Sequence, residues 1–337
     1  MRFSRVLLVW SYRNVTTVKL IIGFPFVLLI GSLTVPSSSS VQMCPFKQSE
    51  ETSVTMSSIS WRQTEANRSA EIFAPGVIST GHEFSVTFTP DMKEVYFTRN
   101  FPEQKINHIM RSRFTNGEWE EPRRISFSDD KWSDLDPALT PDGRRLIFVS
   151  TRPSRTAPNV RNMDIWYSER IAHDWKEPQI VENVNSPAKE GSPTVARDET
   201  LCFFSDRARE ANNNSIYCSV LHAGKYGPPQ KLGPEINSNY SDTSPYLTPD
   251  GKKLFFYSTR PGGSGGADLY VTVKSHARWS PARNLGLTVN TAAWEYNPMI
   301  SPNGKFLYFG RERNIYRIPI KLLRASAPMD GRGSASR

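Results

Sequence analysis

Short apolar and aromatic runs alternate with turn-forming residues along most of the chain. The stretch "LTPDGRRLIFVSTRP" at 139–153 shows the pattern, and "LTPDGKKLFFYSTRP" at 247–261 repeats it closely. The runs are rich in Phe, Tyr, Val and Ile and are bounded by Pro, Asp, Gly or Asn, which is typical of β-strands joined by turns. The segment Thr-Pro-Asp-Gly favours a tight turn because Pro presets φ and Gly tolerates positive φ. These stretches therefore predict antiparallel hairpins.

The hairpin is part of a repeat that occurs five times. Its first segments read "EFSVTFTPD" (83–91), "DLDPALTPD" (134–142), "EGSPTVARD" (190–198), "DTSPYLTPD" (242–250) and "EYNPMISPN" (295–303). A second run such as "LIFVSTR" and a third such as "DIWYSER" follow in each copy, and four copies add an aromatic-to-proline segment such as "WEEPRRI". Four short strands recurring roughly every 50 residues describe a propeller blade. The sequence thus predicts an all-β, five-bladed β-propeller with four-stranded antiparallel blades.

The fifth copy stops after its third strand, so its outer strand must come from elsewhere in the chain. The stretch "AEIFAPGVISTGHEF" (70–84) matches the passage "RNLGLTVNTAAWEY" that joins two blades. We therefore expect residues 71–78 to close the ring against the last blade, because an unpaired sheet edge would otherwise remain. The predicted organisation is a signal peptide or uncleaved anchor at 1–40, a polar linker at 41–70, the propeller at 71–320 and a disordered tail at 321–337.

Charge and hydropathy near the N-terminus indicate the compartment. Four basic residues precede "LIIGFPFVLLIGSLTV" (20–35) and "PSSSSVQ", the order of a secretory signal. The first 44 residues contain four of the basic side chains and no acid, so the formal charge of the rest falls from +9 to +5. That excess, without a basic helix or zinc spacing, does not favour nucleic-acid binding. We expect a secreted or periplasmic protein that meets the membrane only through an uncleaved N-terminal segment.

The repeated blocks "TPDG", "STRP" and "DIWY" resemble the TolB-type propeller repeat, the Pro-Asp relative of the WD repeat, over residues 71–320. The resemblance implies the propeller fold. It implies much less about function, because propellers host unrelated activities. TolB has six blades and an added α/β domain, and this chain shows five copies, so TolB's lipoprotein partner is not carried over.

Each copy places an acid at the start of its first strand and an arginine at the end of its second. Antiparallel pairing puts all ten charges on one face, with the acids expected nearest the channel. The ring contains Glu83, Asp134, Glu190, Asp242, Glu295, Arg99, Arg152, Arg207, Arg260 and Arg311. One interpretation is a set of ion pairs that locks neighbouring blades together. Another is a ligand site in which channel-facing acids hold Ca²⁺ or a sugar, and a third is a pair of catalytic carboxylates.

Other candidate chemistry is less specific. "GGSGG" (262–266) fits the Gly-x-Ser-x-Gly pattern but lies in a loop between two strands rather than in a strand–turn–helix elbow. The five histidines show no metal-ligand spacing. If Ser205 faces Ser215, then Cys202 faces Cys218; an oxidising compartment permits a disulfide, but directly opposed strands suit its geometry poorly, which favours two buried thiols.

Every acid of the ring has its arginine, which favours binding over catalysis, since an enzyme should break the five-fold pattern. Asp129, Asp130 and Asp136 are the local departures from that pattern. The variable loops between second and third strands, with Arg155, Arg161 and Arg209, offer a binding surface. We therefore expect a monomeric, non-catalytic propeller that binds an envelope protein or cell-envelope glycan without a cofactor other than Ca²⁺ in the channel. The alternative is a carbohydrate-active enzyme resembling a glycoside hydrolase that uses channel carboxylates.

Overall fold

The computed structural model describes residues 69–154, 162–208 and 213–325, and these form a five-bladed β-propeller of small antiparallel sheets. This confirms the predicted fold class and the blade number. No helix within the described ranges is long and apolar enough to cross a bilayer. The predicted signal segment and most of the predicted linker lie outside these residues.

In each blade the first strand lies at the channel and the other strands lie further out. Blade 1 contains Glu83–Phe88, Glu94–Phe101, Ile106–Thr115, Glu118–Trp119 and Arg123–Arg124. Blade 2 contains Asp134–Leu139, Arg145–Ser150, Asp164–Ile171, Asp174–Trp175 and Gln179–Ile180. Blade 3 contains Glu190–Val195, Leu201–Ser205, Ser215–Ser219, Leu221–His222, Lys225–Tyr226 and Gln230–Lys231. Blade 4 contains Asp242–Leu247, Lys253–Ser258, Asp268–Ser275, Arg278–Trp279 and Arg283–Asn284. Blade 5 contains Glu295–Ile300, Phe306–Arg311, Asn314–Pro319 and the N-terminal Glu71–Ile72.

The outer strand of each blade is shorter than the sequence predicts. In blade 1 the predicted strand "WEEPRRI" pairs with the third strand in two short pieces, Glu118–Trp119 and Arg123–Arg124. Pro122 lies between the two pieces, and a proline has no N–H to donate to a sheet ladder. The fourth strand is therefore a broken edge in blades 1, 2 and 4.

The hairpin turns between first and second strands are held by their own side chains. In blade 2 the Thr140 hydroxyl donates to Asp142 Oδ1 at 2.6 Å, and the Arg144 N–H donates to the same oxygen at 3.0 Å. Gly143 takes the positive φ of 71° that the turn requires. The predicted role of the Thr-Pro-Asp-Gly segment is confirmed.

The N-terminal strand closes the ring, as the sequence predicts. Glu71 and Ile72 pair with Arg317 and Tyr316 of blade 5, and the Phe73 N–H donates to Ile315 O at 2.8 Å. Regular pairing ends there, so the strand is shorter than the predicted 71–78. Ser79 continues the contact, since its hydroxyl exchanges hydrogen bonds of 3.2 Å with the N–H and C=O of Ile315.

The propeller extends slightly further than the predicted boundary at residue 320. A helix runs from Ile320 to Ala325, where the sequence predicts the start of a disordered tail. Leu322 and Leu323 pack beside the core cluster that Leu307, Phe309 and neighbouring side chains form. Burial of these two leucines orders the segment, and the predicted tail boundary at 321 is wrong; residues 326–337 lie outside the described ranges.

Cys202 and Cys218 are joined by a disulfide across the second and third strands of blade 3. The register that pairs Ser205 with Ser215 is confirmed, whereas the preference for two thiols is wrong. The Cα atoms lie 4.1 Å apart, which is closer than most disulfide-bonded residues but within reach of a bond.

We expect the disulfide to survive in the isolated protein and to stabilise it. The bonded residues are 16 apart in sequence, and a loop of that length corresponds to about 3 kcal/mol in the chain-entropy account. Denatured, unreduced full-length chain should show one reactive thiol, because Cys44 is the third cysteine. Three thiols per chain would contradict the bond, and Cys202→Ser/Cys218→Ser should melt earlier than the oxidised protein.

Candidate functional site

All ten residues of the predicted charged ring come together as five acid–arginine pairs. In blades 1 and 5 the acid is the direct strand partner of its arginine. In blades 2, 3 and 4 the acid lies opposite a serine, and the arginine follows two residues after that serine, beyond the end of the second strand. Four distances join arginine nitrogens to carboxylate oxygens: 2.7 Å for Arg99–Glu83, 2.9 Å for Arg207–Glu190, 2.6 Å for Arg260–Asp242 and 2.8 Å for Arg311–Glu295. Arg152 pairs with Asp134 in the same way. All five carboxyl side chains are 0% exposed, so they present no surface to a ligand.

Four of the five carboxylates also bind the segment that leads into their own blade. Glu190 accepts hydrogen bonds from the Ser186 N–H at 3.0 Å and from the Ser186 hydroxyl at 2.6 Å. Asp242 and Glu295 bind Ser238 and Thr291 in the same manner, four residues upstream. The oxygens of these four acids are therefore engaged by donors of the protein itself, and the acids act as caps on the connections between blades. Asp134 differs, because its Oδ2 is buried without a hydrogen-bond partner among the described residues.

The arginines complete this arrangement from the other side. Arg207 donates to Val184 O at 2.6 Å, and Arg260 donates to Ile236 O at 2.6 Å, so each guanidinium binds the same connecting segment as its acid. Each also lies over an aromatic ring of its blade; Arg260 Cζ is 4.8 Å from the centre of the Tyr270 ring. This geometry agrees with the structural interpretation of the ring.

Each ion pair lies within a single blade. Neighbouring blades are held together by the segments that connect them. Asn185 is in the segment that joins blades 2 and 3; its side chain accepts from the Ile165 N–H at 2.7 Å and donates to Ile165 O at 3.0 Å. Asn237 and Asn290 repeat this contact, and Ser79 makes it where the ring closes. Three connections are thus fixed to the preceding blade by an asparagine amide, and the ring closure by the Ser79 hydroxyl, while the ion pair binds each of these connections to the next blade.

Burial changes the pKa of two of these acids. It raises the pKa of Asp134 and of Glu190, and the arginine and hydroxyl groups that bind each carboxylate oppose that rise. The charged forms are tolerated because donors surround them, and removing either partner would leave the other without compensation.

The side chains that meet in the channel lie two residues further along each first strand. They are polar, and each adopts a left-handed φ between 45° and 52° at a β-bulge: Ser85, Asp136, Ser192, Ser244 and Asn297. Non-glycine residues rarely adopt this conformation, although Asn and Asp tolerate it best. Its recurrence in all five blades makes it a property of the ring, which we call the channel ring.

Asp136 is the one acid of the channel ring, and its carboxylate spans the channel. Oδ2 accepts from the Ser192 N–H at 3.0 Å and from the Ser192 hydroxyl at 2.9 Å, and Oδ1 accepts from Asn297 Nδ2 at 3.1 Å. Ser192 is in the next blade and Asn297 is in the last one, so the side chain ties together blades that are not neighbours. Burial raises the pKa of Asp136, and no ion pair within the described ranges offsets it.

Asp136→Asn should make the protein's stability less dependent on pH. A raised carboxyl pKa means that the native state holds the proton more tightly than the unfolded chain. Stability from this group is therefore greatest below the ordinary Asp range and is lost as pH rises through the folded pKa. Melting temperatures across pH 4–8 should show the variant gaining on the wild type with rising pH; a constant difference would contradict the raised pKa of Asp136.

A cavity of about 190 Å³ occupies the end of the channel where the first strands finish. The channel-ring residues Ser85, Ser192, Ser244 and Asn297 line it at depth, and the hairpin turns line its rim. Its walls include Phe88, Leu139, Val195 and Met299 among other apolar side chains, together with many prolines. The ring of ion pairs lies at the other end of the first strands and does not line this cavity.

The opposite, acid end of the propeller carries exposed apolar side chains in blades 4 and 5. Tyr240 is 46% exposed, Trp294 55% and Leu287 83%, and all three lie in segments that lead into a first strand. Trp294 immediately precedes Glu295, so it stands beside the acid end of the channel. We call Tyr240, Leu287 and Trp294 the aromatic-aliphatic surface.

The glycine-rich loop 262–266 supports this surface. A Cβ on Gly266 would lie 2.1 Å from Trp294 Nε1, and one on Gly265 would lie 2.1 Å from Ala293 O. Asp268 holds the loop by accepting from the Ser264 N–H at 2.6 Å and the Gly265 N–H at 3.1 Å. The loop lies between two strands of one blade, as the sequence predicts, and its glycines allow the indole to rest on the backbone.

The remaining candidate residues either pack within the fold or lie outside the described residues. The aromatic residues that begin the aromatic-to-proline segments serve packing: Trp175 and Tyr226 are buried, and Trp119 packs edge-on to Phe73. His108 is buried, and burial lowers its pKa. The loop residues Arg155, Arg161 and Arg209 lie outside the described ranges. Within those ranges, no group of three or more His, Cys, Asp and Glu side chains is placed to hold a metal ion.

Comparison with known proteins identifies no family for the chain. No family model matches the chain, and no curated protein matches it. Among solved structures, a gluconolactonase from Xanthomonas campestris is 13% identical with a TM-score of 0.45, over 71% of this chain and 72% of that one. A Hadza microbial sialidase is 15% identical with a TM-score of 0.40, over 67% of this chain and 52% of its own length.

A puromycin-hydrolysing peptidase of Mycobacterium tuberculosis is 13% identical with a TM-score of 0.40, over 69% of this chain. The chain spans 35% of that peptidase's length. The three proteins named differ in activity, and the likeness is too distant to carry any of those activities over. The strand arrangement itself makes the protein a β-propeller, and its function must be argued from its own surfaces.

Proposed function

We propose that the propeller is a non-catalytic binding module that recognises a protein partner or a cell-envelope glycan through the aromatic-aliphatic surface at its acid end. The observation that carries the proposal is the Trp294 indole, which is 55% exposed and rests on the backbone of a tightly held glycine loop. A large, rigid, exposed aromatic side chain binds with little loss of conformational entropy. Tyr240 and Leu287 are further exposed side chains in segments that lead into first strands.

Burial of the acid ring supports binding rather than catalysis. Glycoside hydrolysis needs two carboxyl groups that flank the scissile bond, one to donate a proton and one to act as nucleophile or base. The five ring carboxylates are inaccessible and engaged with arginines. Asp136 is the single carboxylate of the channel ring and is buried. The arrangement offers no accessible pair for the carbohydrate-active alternative.

The family and compartment belong to the same proposal. The repeated Pro-Asp turns and the shared blade pattern support a TolB-type propeller, now with five blades and a closing N-terminal strand. The basic and apolar order of residues 1–35 supports export, and the Cys202–Cys218 disulfide fits an oxidising compartment. A periplasmic or extracellular monomer that binds envelope components accommodates these features together.

The test compares binding by variants of the aromatic-aliphatic surface. Purified protein is passed over immobilised peptidoglycan, polysaccharide panels and envelope-protein fractions, with reducing ends assayed after prolonged incubation. We expect retention on at least one material, a loss of tenfold or more in Trp294→Ala, and no new reducing ends. Val273→Ser is the matched control, since Val273 is 44% exposed in the third strand of blade 4.

Gly266→Ala tests whether the loop holds the indole in place. The added methyl group would displace Trp294, so binding should fall while the melting temperature changes little, because the site is at the surface. Ser264→Ala leaves the backbone contacts to Asp268 intact and should bind normally. Release of reducing ends, or equal retention of Trp294→Ala and wild type, would overturn the proposed function.

A further inference from the structure

We propose that the cavity at the turn end of the channel is a second binding site, which takes a small apolar carboxylate and holds its charge with Arg197. This site lies at the opposite end of the first strands from the aromatic-aliphatic surface. It therefore stands independently of the function proposed above.

The first observation is a break in the repeat at the rim of the cavity. Four hairpin turns place a proline there, namely Pro90, Pro141, Pro249 and Pro302, and all four line the cavity. Blade 3 reads "ARD" where the others read "TPD" or "SPN", so Arg197 occupies the fifth position. Five-fold scaffolding does not require an arginine here, because four blades build the same turn without one.

The second observation concerns the Arg197 guanidinium, which makes no ion pair with any residue that the structure describes. Arg197 is exposed, and its backbone N–H donates to Pro249 O at 2.9 Å, which fixes the main chain beside the cavity. Within the described ranges its side chain makes no ion pair, unlike Arg152, Arg207 and the other ring arginines. A guanidinium at the edge of an apolar wall binds a carboxylate through two parallel hydrogen bonds.

The walls favour an apolar body for the ligand. Pro137, Pro193, Pro245 and Pro298 line the cavity directly after the channel ring. The innermost strand of a blade is a sheet edge, and proline there removes an N–H that would otherwise point into the cavity. The wall thus presents carbon where a strand edge would usually present donors.

The floor is polar and closes the site. The hydroxyls of Ser192 and Ser244 lie 3.2 Å apart, and Ser192 is bonded to the Asp136 carboxylate that spans the channel. The ligand therefore enters from the turn end, with a blind floor below it. The charge of Asp136 disfavours a second negative charge at this floor. The carboxylate of the ligand is therefore expected at the rim, beside Arg197.

The volume sets the size of the ligand. A cavity of about 150 Å³ lined by apolar side chains can take up benzene, and this one measures about 190 Å³. One six-membered ring with a short side arm fits, with the ring among the prolines and the carboxylate at Arg197. Phenylacetate is a probe of this shape.

The experiment measures binding of phenylacetate, phenylacetamide and phenethylamine to the full chain by isothermal titration and ligand-observed NMR. The amide preserves shape without charge, and the amine reverses the charge. We expect phenylacetate to bind about tenfold more tightly than the amide, as a charge-assisted pair predicts, and the amine not to bind. Arg197→Gln should reduce the carboxylate-to-amide ratio to about one while the melting temperature stays unchanged.

Lys252→Gln is the matched control, because Lys252 is an exposed cation in the blade 4 turn that does not line the cavity. It should bind all three probes as the wild type does. Ala138→Phe places a ring inside the cavity and should abolish binding of both phenylacetate and the amide. Equal binding of acid and amide by the wild type, no binding of phenylacetate, or an unchanged ratio in Arg197→Gln would each overturn the proposal.

Discussion

A chain that begins at residue 80 should fail to form a stable propeller. It lacks the strand Glu71–Ile72 and the Ser79 contacts to Ile315, so the outer edge of blade 5 is left unpaired. It also lacks Phe73, whose ring lies 5.1 Å from Tyr308 and 5.7 Å from Phe88 in the core cluster of the closing blades. Removal of a buried phenylalanine alone costs about 3–5 kcal/mol, which is a large part of a domain's stability.

The matched control begins at residue 66 and keeps every one of these contacts. It should melt as the longer chain does, by near-ultraviolet circular dichroism and scanning calorimetry. A peptide of residues 69–79 added to the short chain should restore part of the transition, because the missing strand binds the open edge. Identical melting of the two truncated chains would contradict the closure and the blade count.

Glu190→Ala should destabilise the protein by about 3–5 kcal/mol, the cost of removing one partner from a buried ion pair. The Glu190 carboxyl is 0% exposed and accepts from Arg207, from the Ser205 hydroxyl and from both the N–H and the hydroxyl of Ser186, so its loss leaves four donors without their acceptor. Arg207 is 20% exposed, and solvent reaching its guanidinium places the effect toward the lower end of that range. Chemical denaturation monitored by tryptophan fluorescence gives the free energy of unfolding directly.

Glu182→Ala is the control for this substitution, since Glu182 is an exposed acid in the same connecting segment. Its free energy of unfolding should match that of the wild type. The double variant Glu190→Ala/Arg207→Ala should be less destabilised than the two single changes added together, because the residues share one interaction. An unfolding free energy for Glu190→Ala equal to that of the control would show that the pair is not a structural lock.

The scaffold was predictable from sequence because the same pattern of strands and turns occurs five times in the chain. An acid and an arginine such as Glu83 and Arg99 recur in every copy, so pairing of first and second strands could be inferred without coordinates. The exact register could not, because the arginine lies two residues further along in blades 2, 3 and 4. Closure by the segment after residue 70 was predictable for the same reason. Features that occur in all five copies indicate the fold, and the five acids and five arginines of the ring are such features.

Features set by contacts between distant residues were not predictable. Asp136 stood out as a departure from the pattern, but its span across the channel depends on bulges that rotate the third residue of each first strand. Small polar residues before proline at that position, as in Ser192 and Ser244, are the signal that could have revealed the channel ring. The support of Trp294 by Gly266 joins neighbouring blades at their surface, and the order of Ile320–Ala325 depends on packing that no local pattern expresses.

The most direct test of the account is a melting series on the five ring acids with and without Ca²⁺. Each acid is changed singly to alanine, at Glu83, Asp134, Glu190, Asp242 and Glu295. If the ring is scaffold, every variant melts below the wild type, and Ca²⁺ shifts neither the wild type nor any variant. A Ca²⁺-dependent rise in the wild-type melting temperature that vanishes in two or three of the variants would contradict the account and make the acid ring a cation site.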